Sequence, residues 1–468
     1  MSKITRRRFV TSASAGLIGA STVVSPRARA QSARSASNVR GANQRVRVAI
    51  IGCGGMGREH IGNLLAVPET EIVAVSDVWG TNLDRAVALA RQRGGTVPGI
   101  KDFRQVFDMN DVDAVVIATP DHWHAIPLIL ACQAGKDVYV EKPVSVTIRE
   151  GRRMVDAARQ HNRVVQVGTQ QRSGAHYQEA VSLLREGKIG RIDRITAWNH
   201  GNRSPFGIGK PPDGPPPADL DWDFWLGPAP RVPFNPSRFI GSFRWFWDYA
   251  GGMMTDWGVH HLDIINWVLG SDGPKAVTAV GRRFNDDNGE TPDTIEAIFD
   301  YPDTIVTYSH RSTNAHTLDG RDYGIRFHGT AGTMFLHRSG YDIEAEMKPP
   351  DAPPVPTYLQ DQRGYGAPAV APWARPRRSR EARFPVVRAD GSDQNLSHIR
   401  NFYECLKSRQ PPISDIETGH RSSATAMLGN IAYRTGRRIV WNSVKEEIVG
   451  DAEASQLLDR PYRAPWKT

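Results

Sequence analysis

The chain has 468 residues, 40% hydrophobic and 23% charged; this is enough for a large core in two or three domains and excludes a marginal miniprotein. Its formal charge of +9 does not imply a nucleic-acid partner: Lys3, Arg6, Arg7, Arg8, Arg27 and Arg29 account for six of the nine and leave +3 for the rest, and no dense basic stripe interleaved with aromatics occurs elsewhere. Three widely spaced cysteines, Cys53, Cys132 and Cys405, make neither a disulfide framework nor a CxxC metal site.

Residues 1–30 stand apart. Thr5-Arg6-Arg7-Arg8-Phe9-Val10 precedes a mild run of Ala, Gly, Ser, Leu and Val that ends in Ala28-Arg29-Ala30. This reads as a twin-arginine export signal cleaved after Ala30, although Thr, Val and Thr stand where such signals often carry Ser, Leu and Lys. The run is too short and too rich in Gly, Ser and Thr for a membrane span of about 20 apolar residues, and no cysteine before Cys53 offers a lipid anchor. The signal implies export machinery as a partner and a periplasmic or secreted location. Residues 31–44 are rich in Ser, Ala, Asn and Arg without periodicity, and read as a disordered linker.

Residues 45–168 read as a first domain. Val46, Val48, Ile50 and Ile51 predict a strand, and Gly52-Cys53-Gly54-Gly55-Met56-Gly57 follows at once as G-x-G-x-x-G. Alone, the motif equally describes a glycine turn that binds nothing. A helix from about Arg58 to Ala66, then a strand from Glu71 that ends in Asp77, twenty residues beyond Gly57, make it a dinucleotide site. Gly52, Gly54, Gly55, Met56, Gly57 and Asp77 are its candidate residues. Asp77 repels a 2′-phosphate and no Arg or Lys lies among residues 78–81, so NAD is favoured over NADP.

A helix over Asn82–Arg93 and a buried strand over Val112–Ala118 continue the alternation, which implies a parallel, doubly wound Rossmann-type sheet. Thr119-Pro120-Asp121-His122-Trp123-His124 follows at the strand end where ligands sit. Thr119, Pro120 and His124 are candidates for the wall beside the nicotinamide. Two histidines without a third partner do not call for a metal. Asp137-Val-Tyr-Val then delivers Glu141 and Lys142 to another strand end. An isolated lysine is ordinarily a surface group, but the apolar strand before it and Pro143 after it argue for a held position.

Residues 169–440 read as a second domain. Thr169-Gln170-Gln171-Arg172 leaves a strand end with amides and a guanidinium; Gln170 and Arg172 suit a polyhydroxylated ligand, or simply close a loop. Asn199–Leu220 predicts a long loop, and Asp221-Trp-Asp-Phe-Trp-Leu-Gly-Pro an aromatic cluster that is core or a sugar-stacking wall. On a helix, Asp256, His260, Asp263 and Trp267 share one face. An acid one turn before a histidine orients the imidazole for general base catalysis, or satisfies a buried helix. Ala276–Gly281, Thr294–Tyr301 and Thr304–His310 predict strands of an open, largely antiparallel sheet. Tyr341–Asp390 is proline-rich and reads as a covering loop, with the basic run at 375–380 solvated. Helices near Asn395–Ser408 and Glu417–Thr435 close the domain, and the tail 441–468 carries no recognisable chemistry. The fold class is therefore α/β: a Rossmann-type sheet followed by an α/β domain with an open sheet.

Taken in order, Ala49-Ile-Ile-Gly-Cys-Gly-Gly-Met-Gly, Ser76-Asp77, Ala118-Thr-Pro-Asp-His-Trp-His, Glu141-Lys142-Pro143 and Gly251-Gly-Met-Met-Thr-Asp256-Trp-Gly-Val-His260-His-Leu-Asp263 resemble the Gfo/Idh/MocA oxidoreductases, relatives of glucose–fructose oxidoreductase and inositol dehydrogenase. The Trp-Asp-Phe-Trp-Leu-Gly-Pro stretch resembles the family's exported branch. The resemblance implies that Lys142 is the lysine of the E-K-P motif, that Asp256 and His260 are the D-x-x-x-H pair and bind substrate, and that the open sheet joins subunits in a homo-oligomer. The activity it implies is NAD-dependent oxidation of a secondary hydroxyl on a sugar, glycoside or cyclitol, with His260 taking the proton, Asp256 orienting it and Lys142 polarising the oxygen. Export would require a tightly held cofactor. A redox-neutral glycoside hydrolase or lyase, and a sugar-sensing binding protein, are the alternatives.

Overall fold

The computed structural model describes residues 45–93, 96–348 and 381–468. The export signal, the linker and most of the proline-rich stretch therefore lie outside the described residues. The first sheet has six parallel strands, β1 (Val46–Ile51), β2 (Thr70–Ser76), β3 (Gly99–Ile100), β4 (Ala114–Ile117), β5 (Asp137–Val140) and β6 (Val165–Val167), in the order β3-β2-β1-β4-β5-β6. The order reverses at β1, and the crevice beyond the carboxyl ends of β1 and β4 is where such sheets bind ligands. All four residues of β4 are buried, as expected for a strand covered on both faces.

The second sheet has ten strands: β7 (Ile192–His200), β8 (Ala276–Arg282), β9 (Thr294–Asp300), β10 (Ile305–Arg311), β11 (Tyr323–Gly329), β12 (Gly332–His337), β13 (Gly340–Ala345), β14 (Val387–Asp390), β15 (Ile439–Asn442) and β16 (Glu447–Ile448). Their order is β14-β13-β12-β11-β7-β10-β9-β8-β15-β16, antiparallel throughout except where β10 runs parallel to β7. Helices Gly258–Leu269 and Ile416–Thr435 pack on one face and share a core with Val306, Tyr308 and Phe327. The other face is open: Val280, Ile298 and Ile305 are 61%, 51% and 54% exposed.

Two late segments cross back to the first domain. The helix Gln394–Ser408, which sequence periodicity allots to the second domain, buries Ile399, Phe402 and Leu406 against Leu64, Tyr139 and Val164 beside the nucleotide-binding sheet. The tail also has a structural task. Arg460 Nε and Tyr462 Oη both donate to Glu150 Oε1 (2.9 and 2.5 Å), and Trp466 stacks on Phe224 and meets the edge of Trp123. Such long-range closures leave no local pattern in the sequence.

Candidate active site

A cleft of about 540 Å³ opens at the carboxyl ends of β1, β2, β4 and β5. Gly52, Gly54, Gly55, Met56, Asp77, Thr119, Pro120, Glu141 and Lys142 line it from the first domain, and Trp225, Phe239, Ile240, Phe243, Arg244 and Asp256 from the second. Gly52 turns at φ +88°, and a Cβ on Gly57 would sit 1.9 Å from the Gly52 carbonyl oxygen. Gly57 thus lets the helix Gly55–Leu65 close on the turn and does not itself line the cleft. A Cβ on Gly54 or Gly55 would meet nothing within 4 Å among the described residues. That helix starts without a side-chain cap, so its first-turn N–H groups have no side-chain acceptor and an anion can occupy the open space beside them. Asp77 accepts from the Cys53 and Trp79 amides (2.7 and 2.8 Å) and is fixed at the end of β2. These residues fit a dinucleotide: open glycines at a helix N-terminus for the pyrophosphate, and a held carboxylate where the ribose belongs.

Lys142 Nζ donates to Asp256 Oδ1 (2.8 Å) and to the Asp256 carbonyl oxygen (3.3 Å). Arg244 Nε lies 3.5 Å from Asp256 Oδ2. Burial alone would push the Asp256 carboxyl up, but Arg244 and Lys142 together hold it well below the usual carboxylate range. The single long helix face expected for Asp256 and His260 is interrupted at Trp257, between helices Gly252–Asp256 and Gly258–Leu269. The His260 amide donates to the Trp257 carbonyl, and the Asp256 carbonyl turns to Lys142. Asp256 therefore orients Lys142, not the imidazole. His260 is 4% exposed and its Nδ1 has no hydrogen-bond partner among the described residues. Burial drives it well below its ordinary range, with Lys142 and Arg338 adding to the effect and Asp256 opposing it, so the ring is neutral.

Besides Gly57, four predicted site residues are absent from the cleft lining: His260, His124, Arg172 and Gln170. His124 is clamped between the Pro143 and Thr119 carbonyls (2.7 and 3.0 Å); it braces the two strand-end loops that carry Lys142 and Thr119. Arg172 is buried, with Nε 2.7 Å from Asp263 Oδ2 and its guanidinium 4.9 Å above Trp267. Gln170 borders a separate crevice beside His60, Tyr139 and Asn395, with a volume of about 10 Å³. Both follow β6 into the 3₁₀ turn Gln170–Ser173, which packs near helix Gln394–Ser408 instead of facing the cleft.

Other groups have no recognisable signal in the sequence. Arg244 sits in the 3₁₀ helix Ile240–Trp245. Asp121, inside the run that carries Thr119 and Pro120, lines the cleft; burial pushes its carboxyl up to about 7, with Lys142 opposing and Asp256 reinforcing. Asp219 reaches from the second domain to the loop after Asp77. Its carboxylate accepts from Trp79 Nε1 (2.9 Å), the Thr81 amide (2.7 Å) and Thr81 Oγ1 (2.7 Å), and its carbonyl accepts from the Gly80 amide (3.0 Å). Trp79 packs edge-on against Phe239 at 5.1 Å. A clasp thus ties the aromatic loop of the second domain to the cofactor-binding loop of the first.

The model of the Gfo/Idh/MocA oxidoreductase family, NAD-binding Rossmann fold, matches residues 46–169. That of its C-terminal alpha/beta domain matches residues 206–322 and 389–468. The chain is 24% identical over 293 residues to a scyllo-inositol 2-dehydrogenase (NAD(+)) of Bacillus subtilis (strain 168), covering 62% of this chain and 73% of that enzyme. It is 28% identical over 206 residues to a glycosyl hydrolase family 109 protein of Shewanella putrefaciens, covering 41% and 45% of the two chains. The fold superposes with a TM-score of 0.59 on the WlbA dehydrogenase of Bordetella pertussis, solved with NADH and UDP-GlcNAcA, at 20% identity over 85% of this chain and 99% of that one. With both domain models matched in order and the glycine turn, Asp77 and Lys142 gathered on one cleft, the chain belongs to the Gfo/Idh/MocA family of oxidoreductases and its first domain binds NAD.

Proposed function

We propose that this protein is an NAD-dependent dehydrogenase acting on a secondary hydroxyl of a sugar, glycoside or cyclitol. The observation that carries the reading is the Lys142–Asp256 pair on the wall of the dinucleotide cleft. NAD, when bound, supplies the hydride acceptor. Lys142 Nζ, anchored by the Asp256 carboxylate and carbonyl, presents its remaining N–H to the substrate oxygen and stabilises the charge that develops as the hydroxyl proton leaves. His260, neutral and with Nδ1 unpartnered, is the acceptor for that proton. Asp256 stays ionised and keeps Lys142 in place.

The cofactor in this reading is resident. A protein exported folded meets no replenishing NAD pool, and retention through dilution needs at least nanomolar affinity, roughly −12 kcal/mol. The Asp219 clasp supports it, because its hydrogen bonds must break before the loop after Asp77 can swing away. The exposed Val280, Ile298 and Ile305 on the open sheet support a homo-oligomer through that face. A second reading, redox-neutral glycoside cleavage through a transient keto-sugar, is favoured by the likeness to the glycosyl hydrolase family 109 protein.

One experiment tests these readings. The protein is purified and dialysed without added NAD, its bound nucleotide is measured after denaturation, and the holoprotein is offered glycosides, free sugars and cyclitols. Reduced cofactor with a keto product supports the dehydrogenase. Free sugar plus released aglycone supports the redox-neutral route, and binding without turnover leaves only a sensor. Absence of nucleotide after dialysis would overturn the resident cofactor.

A further inference from the structure

Lys142 and Arg244 both lean on the Asp256 carboxylate. Of the other acids on the cleft wall near Lys142, Glu141 is bonded to His60 Nε2 (2.7 Å), and Asp121, with its carboxyl pushed up to about 7, is only partly ionised at neutral pH. On the ring of the next residue, Trp257, lies a third cation. Arg338, at the turn between β12 and β13, holds its guanidinium carbon 4.7 Å from the Trp257 ring centroid. Among the described residues Arg338 has no ion-pair partner, and its Nε is buried without a hydrogen bond.

Two imidazoles complete the cluster. His260 and His261 are 4% and 2% exposed, and each ring centroid lies 6.1 Å from that of Trp257. His260 Nδ1 and both ring nitrogens of His261 are buried with no partner among the described residues. Burial, reinforced by Arg338, pushes His261 down to about 3, so this ring too is neutral. Folded proteins rarely leave so many buried polar atoms unpaired in one place. A guanidinium N–H and three imidazole nitrogens around one indole, next to Asp256 and Lys142 but outside the lining of the cleft itself, are left without internal satisfaction.

We infer that Arg338, stacked on Trp257 beside His260 and His261, binds an anionic group of the substrate, so that the substrate is an acidic sugar derivative bearing a carboxylate or a phosphate ester. The inference rests on the dehydrogenase reading above and narrows it. A stacked guanidinium keeps its planar fork in one orientation, and that fork matches the two oxygens of a carboxylate or phosphate. The substrate anion would supply the counter-charge that Arg338 lacks among the described residues. Its ring would lie over Trp257, with the reacting hydroxyl towards Lys142.

The test uses the holoenzyme and three sets of compounds: hexuronates and aldonates, hexose phosphates, and the corresponding neutral hexoses and cyclitols. Reduction of bound cofactor is the readout. Acidic compounds should exceed their neutral counterparts in the second-order rate constant for reducing the bound cofactor by at least about tenfold, the equivalent of one bidentate charge-assisted contact. Arg338→Gln should collapse that ratio chiefly by raising the half-saturating concentration of the acidic compound, and Arg338→Lys, which keeps the charge without the fork, should recover part of it. Whether the carboxylates or the phosphates respond identifies the anion. Equal use of neutral and acidic compounds, or a ratio unmoved by Arg338→Gln, overturns the subsite and leaves the dehydrogenase standing. A cofactor that no compound of any set reduces overturns the dehydrogenase reading and the subsite with it.

Discussion

Arg172→Met separates a structural arginine from a substrate ligand. In the wild type Arg172 Nε donates to both Asp263 oxygens (3.0 and 2.7 Å) and Nη2 to the Asp263 carbonyl (3.2 Å), while Ser422 Oγ donates to Oδ1 (2.7 Å). Asp263 is fully buried. Methionine conserves much of the volume but leaves the carboxylate in the core with the Ser422 hydroxyl as its only side-chain donor among the described residues. Removing one partner of a buried ion pair costs about 3–5 kcal/mol, and the lost stacking on Trp267 lies within that figure. For a domain of this size the loss corresponds to a fall in Tm of roughly 6–15 °C, measured by thermal unfolding of the holoprotein. Arg172→Met with Asp263→Leu should regain much of the loss, because the stranded charge goes with its partner. A single variant with Tm within about 2 °C of wild type and a raised KM for the substrate would refute the reasoning and restore Arg172 to the substrate site.

Further expectations concern the cleft. Gly54→Ala should leave the fold intact, since its Cβ meets nothing, yet weaken NAD binding by filling the open space beside the turn; unchanged affinity in a fluorescence titration would count against the pyrophosphate assignment. Gly57→Ala, by contrast, collides with the Gly52 carbonyl and should destabilise the domain by at least roughly 1–3 kcal/mol, seen as a lower urea midpoint. Lys142→Met and His260→Phe should each cut kcat about 100-fold or more while the purified proteins keep their NAD; wild-type turnover in both would remove these residues from the mechanism. Because burial raises the Asp121 carboxyl to about 7 in the folded protein, folding takes up a proton there. Its contribution to stability is fully present below the unfolded value near 4 and is lost as pH rises through about 7. Asp121→Asn should flatten that part of the stability profile, and an identical slope in the variant would show that the group titrates elsewhere.

The cofactor half of the site was legible because its geometry is local. Strand, glycine turn, helix, strand and acid fall within 32 residues, so Gly52 to Asp77 announce their arrangement through short-range sterics and periodicity. Lys142 was legible for a related reason: an apolar strand of fixed direction delivers its last residue to the sheet's ligand edge. The same logic misled at Arg172 and Gln170. They also follow a strand end, but β6 is an edge strand, and the turn beyond it packs near the late helix Gln394–Ser408 rather than opening onto the cleft. Periodicity likewise carried Asp256 and His260 onto one helix face and gave no sign of the break at Trp257.

By itself, then, the sequence determined the class of each domain, the NAD-type glycine turn and the short roster of polar residues from which a catalytic group can be drawn, since these follow from backbone sterics and hydrophobic spacing over a few tens of residues. Tertiary structure alone decided the pairings. Lys142 meets Asp256 across 114 positions, Asp219 reaches Trp79 across 140, and Arg172 meets Asp263 across 91. Which charge neutralises which depends on the three-dimensional closure of two domains, and that closure spent Arg172 and His124 on holding the fold while leaving Arg338 without a counter-ion among the described residues.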